Sequence, residues 1–137
     1  MRSENPGTPK LPGVEIGFVS RDTGLRDFLA AVFRLEPRPP LELPSGNLYR
    51  LDGYDRVLKV FVPHETPTPQ PRSSSFYDIE GPRFLTIRVT GLDEVVSRVV
   101  ANGGTVVEEP REPVPGVRIA MIRDPGGTWF ELSERLA

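Results

Sequence analysis

A chain of 137 residues is long enough to bury one substantial core. Hydrophobic residues make up 37% and charged residues 26%, and the net charge of −2 comes from interspersed acids and bases, which excludes a nucleic-acid-binding stripe or a polybasic membrane patch. The absence of cysteine excludes disulfides, a thiolate metal site and a thiol nucleophile.

The chain opens with MRSENPGTPKLPG, and three prolines within residues 1–12 predict a flexible N-terminal tail. It contains no apolar run of signal-peptide or membrane-span type, so a cytoplasmic protein without a membrane partner is expected. VEIGFVS then alternates, with Val14, Ile16 and Phe18 on one face and Glu15, Gly17 and Val19 on the other. DTGLRDFLAAVFRLEP follows, and its Leu25, Phe28, Leu29, Val32 and Phe33 form the i, i+3, i+4, i+7, i+8 stripe of an amphipathic helix that Asp22 is placed to cap. LELP, NLYRLD and VLKVFVP read as three short strands, the last two joined by a turn around Gly53 in DGYDR.

Proline, serine, threonine and glutamine dominate PHETPTPQPRSSSFYDIEGP, which predicts a linker over residues 64–82. Beyond it the pattern repeats. FLTIRVT alternates, with Leu85, Ile87 and Val89 opposite Phe84, Thr86 and Arg88. GLDEVVSRVVANGG carries Leu92, Val95, Val96, Val99 and Val100 at the spacings of the first helix, and Gly103 suits a C-terminal cap. TVVEE, VRIAMIRD and TWFELSE supply three more strands, the last two joined by DPGGT. Asp52 and Asp124 open equivalent turns, and each is followed seven residues later by a charged residue in an apolar strand, Lys59 and Glu131. Each half therefore reads β-α-β-β-β, an α+β arrangement in which a helix covers one face of a sheet and leaves the other free. A charged side chain inside such a strand points either to water or into a site.

This doubled β-α-β-β-β pattern, with GVRIAMIRDPGGTWFELSE as its most specific stretch and GPRFLTIRVTGLDEVVSRVVANGG and DFLAAVFRLEP beside it, resembles the vicinal oxygen chelate superfamily of glyoxalase, bleomycin-resistance and extradiol dioxygenase proteins. The resemblance spans about residues 13–134. It implies a single glyoxalase-like domain of two modules, residues 13–63 and 83–134, forming a curved, barrel-like mixed sheet around a central cavity. It also implies a homodimer, since members commonly pair modules within or between chains. In the family's metalloenzymes four inward side chains hold a divalent cation, and their positions fall here on Glu15, Lys59, Phe84 and Glu131, with Val14 as the alternative at the first. Phe84 has no donor atom and a lysine ammonium has no lone pair, so no metal and no other cofactor are expected.

Glu15, Lys59 and Glu131 are left as a candidate charged cluster, with Phe84, Thr86, Arg88 and Trp129 as candidate ligand contacts. Two functional readings follow. In one, the chain binds a small organic molecule in an apolar cavity, as the bleomycin-resistance proteins do. In the other, a glutamate moves a proton on a carbonyl-containing small molecule and Lys59 stabilises the resulting oxyanion, as in an isomerase, lyase or cyclase. Against both stands a purely structural ion pair. His64, the only histidine, reads as a surface residue, and Ser73, Ser74 and Ser75 lack the surroundings of a nucleophile elbow.

Overall fold

Both apolar stripes close into helices. The computed structural model describes residues 12–71 and 73–136, and the chain divides into two units, residues 1–69 and 70–137. The tail read over residues 1–12 lies, but for Pro12, outside the described residues. Among the described residues no helix is long and apolar enough to cross a membrane.

In the first unit, β1 (Ile16–Val19) leads into α1 (Gly24–Phe33), followed by β2 (Glu36–Pro37), β3 (Leu41–Leu43), β4 (Gly46–Gly53) and β5 (Arg56–Pro63). All five stripe residues of α1 are buried. Asp22 Oδ1 accepts from the Gly24 amide at 2.9 Å, as a capping carboxylate should, although the residue flanking the helix is Thr23. The sheet runs β1-β5-β4-β2, with β3 also on β4, and β1 pairs parallel to β5. The edge segment is broken into β2 and β3 because Pro37, Pro39 and Pro40 supply no amide donors to the ladder on β4. Alternation by itself had given no sign of β2. Arg26 of α1 stacks over the Tyr49 ring at 4.7 Å, so the helix covers the face of β4 that carries Tyr49 and the fully buried Leu51.

The second unit repeats the plan with β6 (Phe84–Arg88), α2 (Leu92–Ala101), β7 (Thr105–Val114), β8 (Val117–Arg123) and β9 (Trp129–Arg135) in the order β6-β9-β8-β7. Here β6 pairs parallel to β9. The α2 stripe is narrower than expected, with Leu92, Val95 and Val99 buried but Val100 59% exposed. Gly103, at φ 83°, ends the helix: its amide reaches the Val100 carbonyl and the Gly104 amide the Val99 carbonyl, which is the Schellman pattern. The start of α2 is capped from outside. Glu134 Oε2 accepts from the Gly91 and Leu92 amides at 2.8 and 3.1 Å, and Arg118 bonds Asp93 at 2.9 Å. These contacts fix α2 over the face that carries Ala120, Ile122, Phe130 and Leu132, all buried. Register shifts and two prolines, Pro110 and Pro113, interrupt the pairing of the long edge strand β7.

The two hairpin turns differ in chemistry. Between β4 and β5 the turn read around Gly53 is made by Tyr54 and Asp55, left-handed at φ 50° and 62°, directly after Gly53 ends β4. A Cβ at Gly53 would lie 2.3 Å from Leu35 Cδ2, so a larger residue there would need the Leu35 side chain to shift. Between β8 and β9, Asp124 is buried and holds the turn, its Oδ1 accepting from the Thr128 amide at 2.6 Å while Gly127 adopts φ 98°. Burial raises the Asp124 pKa above its ordinary value, opposed by the turn's backbone donors. Replacing Asp124 by Ala should cost about 1–2 kcal/mol in urea unfolding, because a buried amide loses its acceptor. A raised folded pKa also makes this carboxyl's stabilisation fullest below the unfolded value and progressively lost as pH rises through the folded one. Asp124→Asn should abolish that part of the pH dependence in parallel unfolding curves.

Candidate functional site

The strand registers sort side chains into rows on the sheet faces turned away from the helices. In the first unit Val19, Phe61 and Leu48 form one row across β1, β5 and β4, and Gly17, Lys59 and Arg50 form the next. Val57 and Asp52 follow, with Glu36 beyond Asp52. Glu15 sits one residue before β1, and its Oε1 lies 2.8 Å from Lys59 Nζ. Val14 is 75% exposed. The side chain that meets Lys59 is therefore Glu15 and not Val14.

A second ion pair stands on the same face and has no counterpart in the sequence reading. Arg38 Nε and Nη2 donate to the two Asp52 oxygens at 2.7 and 2.6 Å, with the arginine side chain only 6% exposed. The hydrogen bonds to Asp52, and more weakly the charge of Glu15, raise the Arg38 pKa. Asp52 and Asp124 are thus not equivalent, since only Asp124 holds its turn. By contrast, the Lys59 and Glu15 side chains are 37% and 38% exposed. They are wetter than a cluster shut inside an apolar cavity would be.

In the second unit the corresponding rows are Phe84, Trp129 and Arg123; Thr86, Glu131 and Met121; and Arg88, Ser133 and Ile119. Thr86 Oγ1 donates to Glu131 Oε1 at 2.8 Å. Arg123 stacks over the Trp129 ring at 5.1 Å. Arg88 is exposed at the end of β6. Thus the structure brings Glu15 to Lys59 and Thr86 to Glu131, and seats Phe84 beside Trp129.

The linker reading hid one further contributor. Phe76 packs edge-on against Phe84, with ring centroids 5.3 Å apart, and lies 6.1 Å from Trp129. The segment that carries it is tied down by Ser73, which bonds Asp78, and by Arg83, which donates to the Ile79 and Ser75 carbonyls at 3.1 and 3.3 Å. The Ser73 hydrogen bond and Arg83 hold the Asp78 carboxyl below its ordinary pKa. Adjacent aromatics, Phe76 and Tyr77, in an otherwise polar run were the available signal. His64 is exposed, as the sequence suggested.

The four positions that the resemblance implies, Glu15, Lys59, Phe84 and Glu131, do not offer a donor set that fits a divalent cation. Glu15 is engaged by an ammonium, Phe84 offers no donor, and Glu131 is hydrogen-bonded to Thr86. Among the described residues no three His, Cys, Asp or Glu side chains are grouped to hold a metal ion.

Comparison with known proteins adds the following. The model of the Glyoxalase/Bleomycin resistance protein/Dioxygenase superfamily matches residues 28–132. A glyoxalase family protein from Bacillus cereus is similar in structure at 16% identity and TM-score 0.77, covering 97% of this chain and 99% of that one. One from Enterococcus faecalis is 22% identical at TM-score 0.67, covering 91% and 97%. The fosfomycin resistance protein FosX from Listeria monocytogenes is 17% identical at TM-score 0.65, covering 90% and 93%. No curated protein matches the sequence.

The contrast between the two ion pairs is measurable. Asp52→Ala removes both charge-assisted hydrogen bonds from the buried Arg38 guanidinium and should cost about 3 kcal/mol. Lys59→Met breaks a solvent-screened pair and should cost about 1 kcal/mol or less, with the difference from the parent shrinking at high salt. Urea unfolding of both variants at low and high ionic strength checks the pair of values.

Proposed function

We propose that this chain, which belongs to the Glyoxalase/Bleomycin resistance protein/Dioxygenase superfamily, binds a small organic molecule without a resident metal ion. One observation carries the reading. In each unit the parallel strand pair sets a partly exposed acidic or basic side chain on the helix-free face, already oriented by a hydrogen-bonding partner. Apolar residues stand in the next row: Val19, Phe61 and Leu48 in one unit, Phe84 and Trp129 with Phe76 in the other. A few orienting polar groups on an apolar surface are what a small-molecule site requires. The structural relative named for fosfomycin resistance fits a small organic molecule as the ligand class. Affinity would come from the apolar row of whichever unit holds the ligand, and orientation from Lys59 and Glu15 in the first unit or from Glu131 in the second.

A second reading has its own support. Thr86 holds one oxygen of Glu131, which leaves the other directed by a fixed carboxylate plane, as a general base needs. On that reading the ligand is a substrate containing a carbonyl group, and the reaction is a metal-independent isomerisation, elimination or cyclisation. The proton taken up by Glu131 would be returned to the product.

Extraction of the purified chain, with mass spectrometry of whatever small molecule is released, tests binding directly. Glu131→Gln should reduce the amount of co-purifying compound at least about tenfold, since a charge-assisted hydrogen bond is lost. Its melting temperature should stay within a few degrees of the parent. A variant that melts lower yet keeps its full complement of compound would assign Glu131 a structural role alone.

A further inference from the structure

The two units differ in how they answer the carboxylate on the helix-free face. In the first, Glu15 Oε1 meets the Lys59 ammonium at 2.8 Å. In the second, the row that corresponds to Gly17 and Lys59 holds Thr86 and Glu131. Glu131 Oε1 accepts from the Thr86 hydroxyl, and no cation pairs with this carboxylate among the described residues. Its Oε2 takes no hydrogen bond there and is not buried, since Arg50 Nε is the one buried side-chain polar atom without a partner among the described residues. That oxygen therefore meets solvent, beside an exposed Thr86. The neighbouring row is aromatic. Phe84 is 45% exposed, and Phe76 packs edge-on against its ring. Trp129 beside it is buried and carries the Arg123 guanidinium over its ring.

We propose that the second unit binds a small aromatic monoamine, its ammonium on Glu131 Oε2 and its ring against Phe84. The inference rests on the ligand-binding reading above and specifies the unit that holds the ligand and the ligand's chemistry. An ammonium carries three donors and no acceptor, so it can fill the open oxygen with a charge-assisted hydrogen bond. Phe84 and Thr86 lie two residues apart on β6, about 7 Å, a separation that a ring, a two-carbon arm and a hydrogen bond together span. The charge pattern selects a monocation. Arg123 stands in the aromatic row and Arg88 in the row beyond Glu131. A second positive charge on the ligand would approach one of these guanidiniums, whereas a single charge confined to the middle row meets the carboxylate. The first unit supplies the ammonium from its own Lys59, and the second leaves that role to the ligand.

The test titrates the full chain with phenethylamine, its neutral isostere phenethyl alcohol, and the anion phenylpropionate. Trp129 is the only tryptophan, so its indole N–H resonance reports on the aromatic row without ambiguity, and the Thr86 and Glu131 amides report on the next. Phenethylamine should shift all three and bind at least about tenfold tighter than phenethyl alcohol, with phenylpropionate weakest. Glu131→Gln should bring phenethylamine down to the level of the alcohol. Phe84→Leu keeps the carboxylate and an apolar strand residue, and should weaken the amine and the alcohol by a similar factor. Equal binding of amine and alcohol on these residues would overturn the ammonium assignment and leave small-molecule binding standing. So would unchanged phenethylamine affinity in Glu131→Gln or in Phe84→Leu, or tighter binding of phenylpropionate. Absence of shifts with all three probes would also overturn it, and the extraction experiment then decides separately whether the chain binds small molecules.

Discussion

The parallel pairing of the first and last strands in each unit is the constraint on which the sites depend. Side chains alternate along a strand with a period of two, so a slip of one residue would turn every site residue toward the helix. The pairing Gly17 to Lys59 sets the lysine on the helix-free face, and Thr86 to Glu131 does the same for the glutamate. In each unit one further backbone bond extends the ladder past the opening strand: the Ser20 amide to the Phe61 carbonyl at 2.9 Å, and the Val89 amide to the Ser133 carbonyl at 2.8 Å. The helices lock the choice of face from behind. Arg26 on Tyr49 and Glu134 at the start of α2 are contacts that exist only if the intervening residues point the other way.

Charges on the first sheet separate by burial into two kinds. Arg38 and Asp52 form a bidentate pair with the arginine almost wholly withdrawn from water, a geometry that fixes the edge segment β2 against β4. Lys59 and Glu15 meet at a similar distance but remain more than a third exposed. Solvent-screened pairs are worth roughly 0–1 kcal/mol, so either member can exchange its partner for a ligand at small cost. The second sheet relies on a hydroxyl instead of a cation to orient its acid, and sets Phe84 and Trp129, packed by Phe76, in the next row. One unit therefore presents mixed charge beside an aliphatic and phenyl row, and the other a carboxylate beside an aromatic cluster.

Much of this was legible in the sequence because it is written in short-range patterns. The two helix stripes, the Gly103 cap and the Asp124 turn each depend on residues within one or two turns of one another, and the side-chain alternation assigned Glu15, Lys59, Phe84 and Glu131 to their faces. What escaped depends on contacts made at a distance. Arg38 meets Asp52 across the β2–β4 pairing, and β2 itself is two residues in a proline-rich stretch with no alternation to read. Phe76 lay in a segment whose composition suggested a linker, yet its ring is held by two residues of the sheet. The turn placed around Gly53 is made by Tyr54 and Asp55, which take left-handed conformations without being glycine.

Binding without a resident metal is the proposal from which the chemistry of the site follows; it rests on Lys59 and Phe84 falling at positions where the family resemblance implies metal ligands. Elemental analysis of natively purified chain, combined with quantification of its co-purifying compound before and after exhaustive chelation, tests it most directly. The predicted result is far less than one equivalent of zinc, nickel, iron or manganese per chain and an unchanged amount of bound compound after chelation. One equivalent of any of these metals, with the compound lost when the metal is removed, would contradict it.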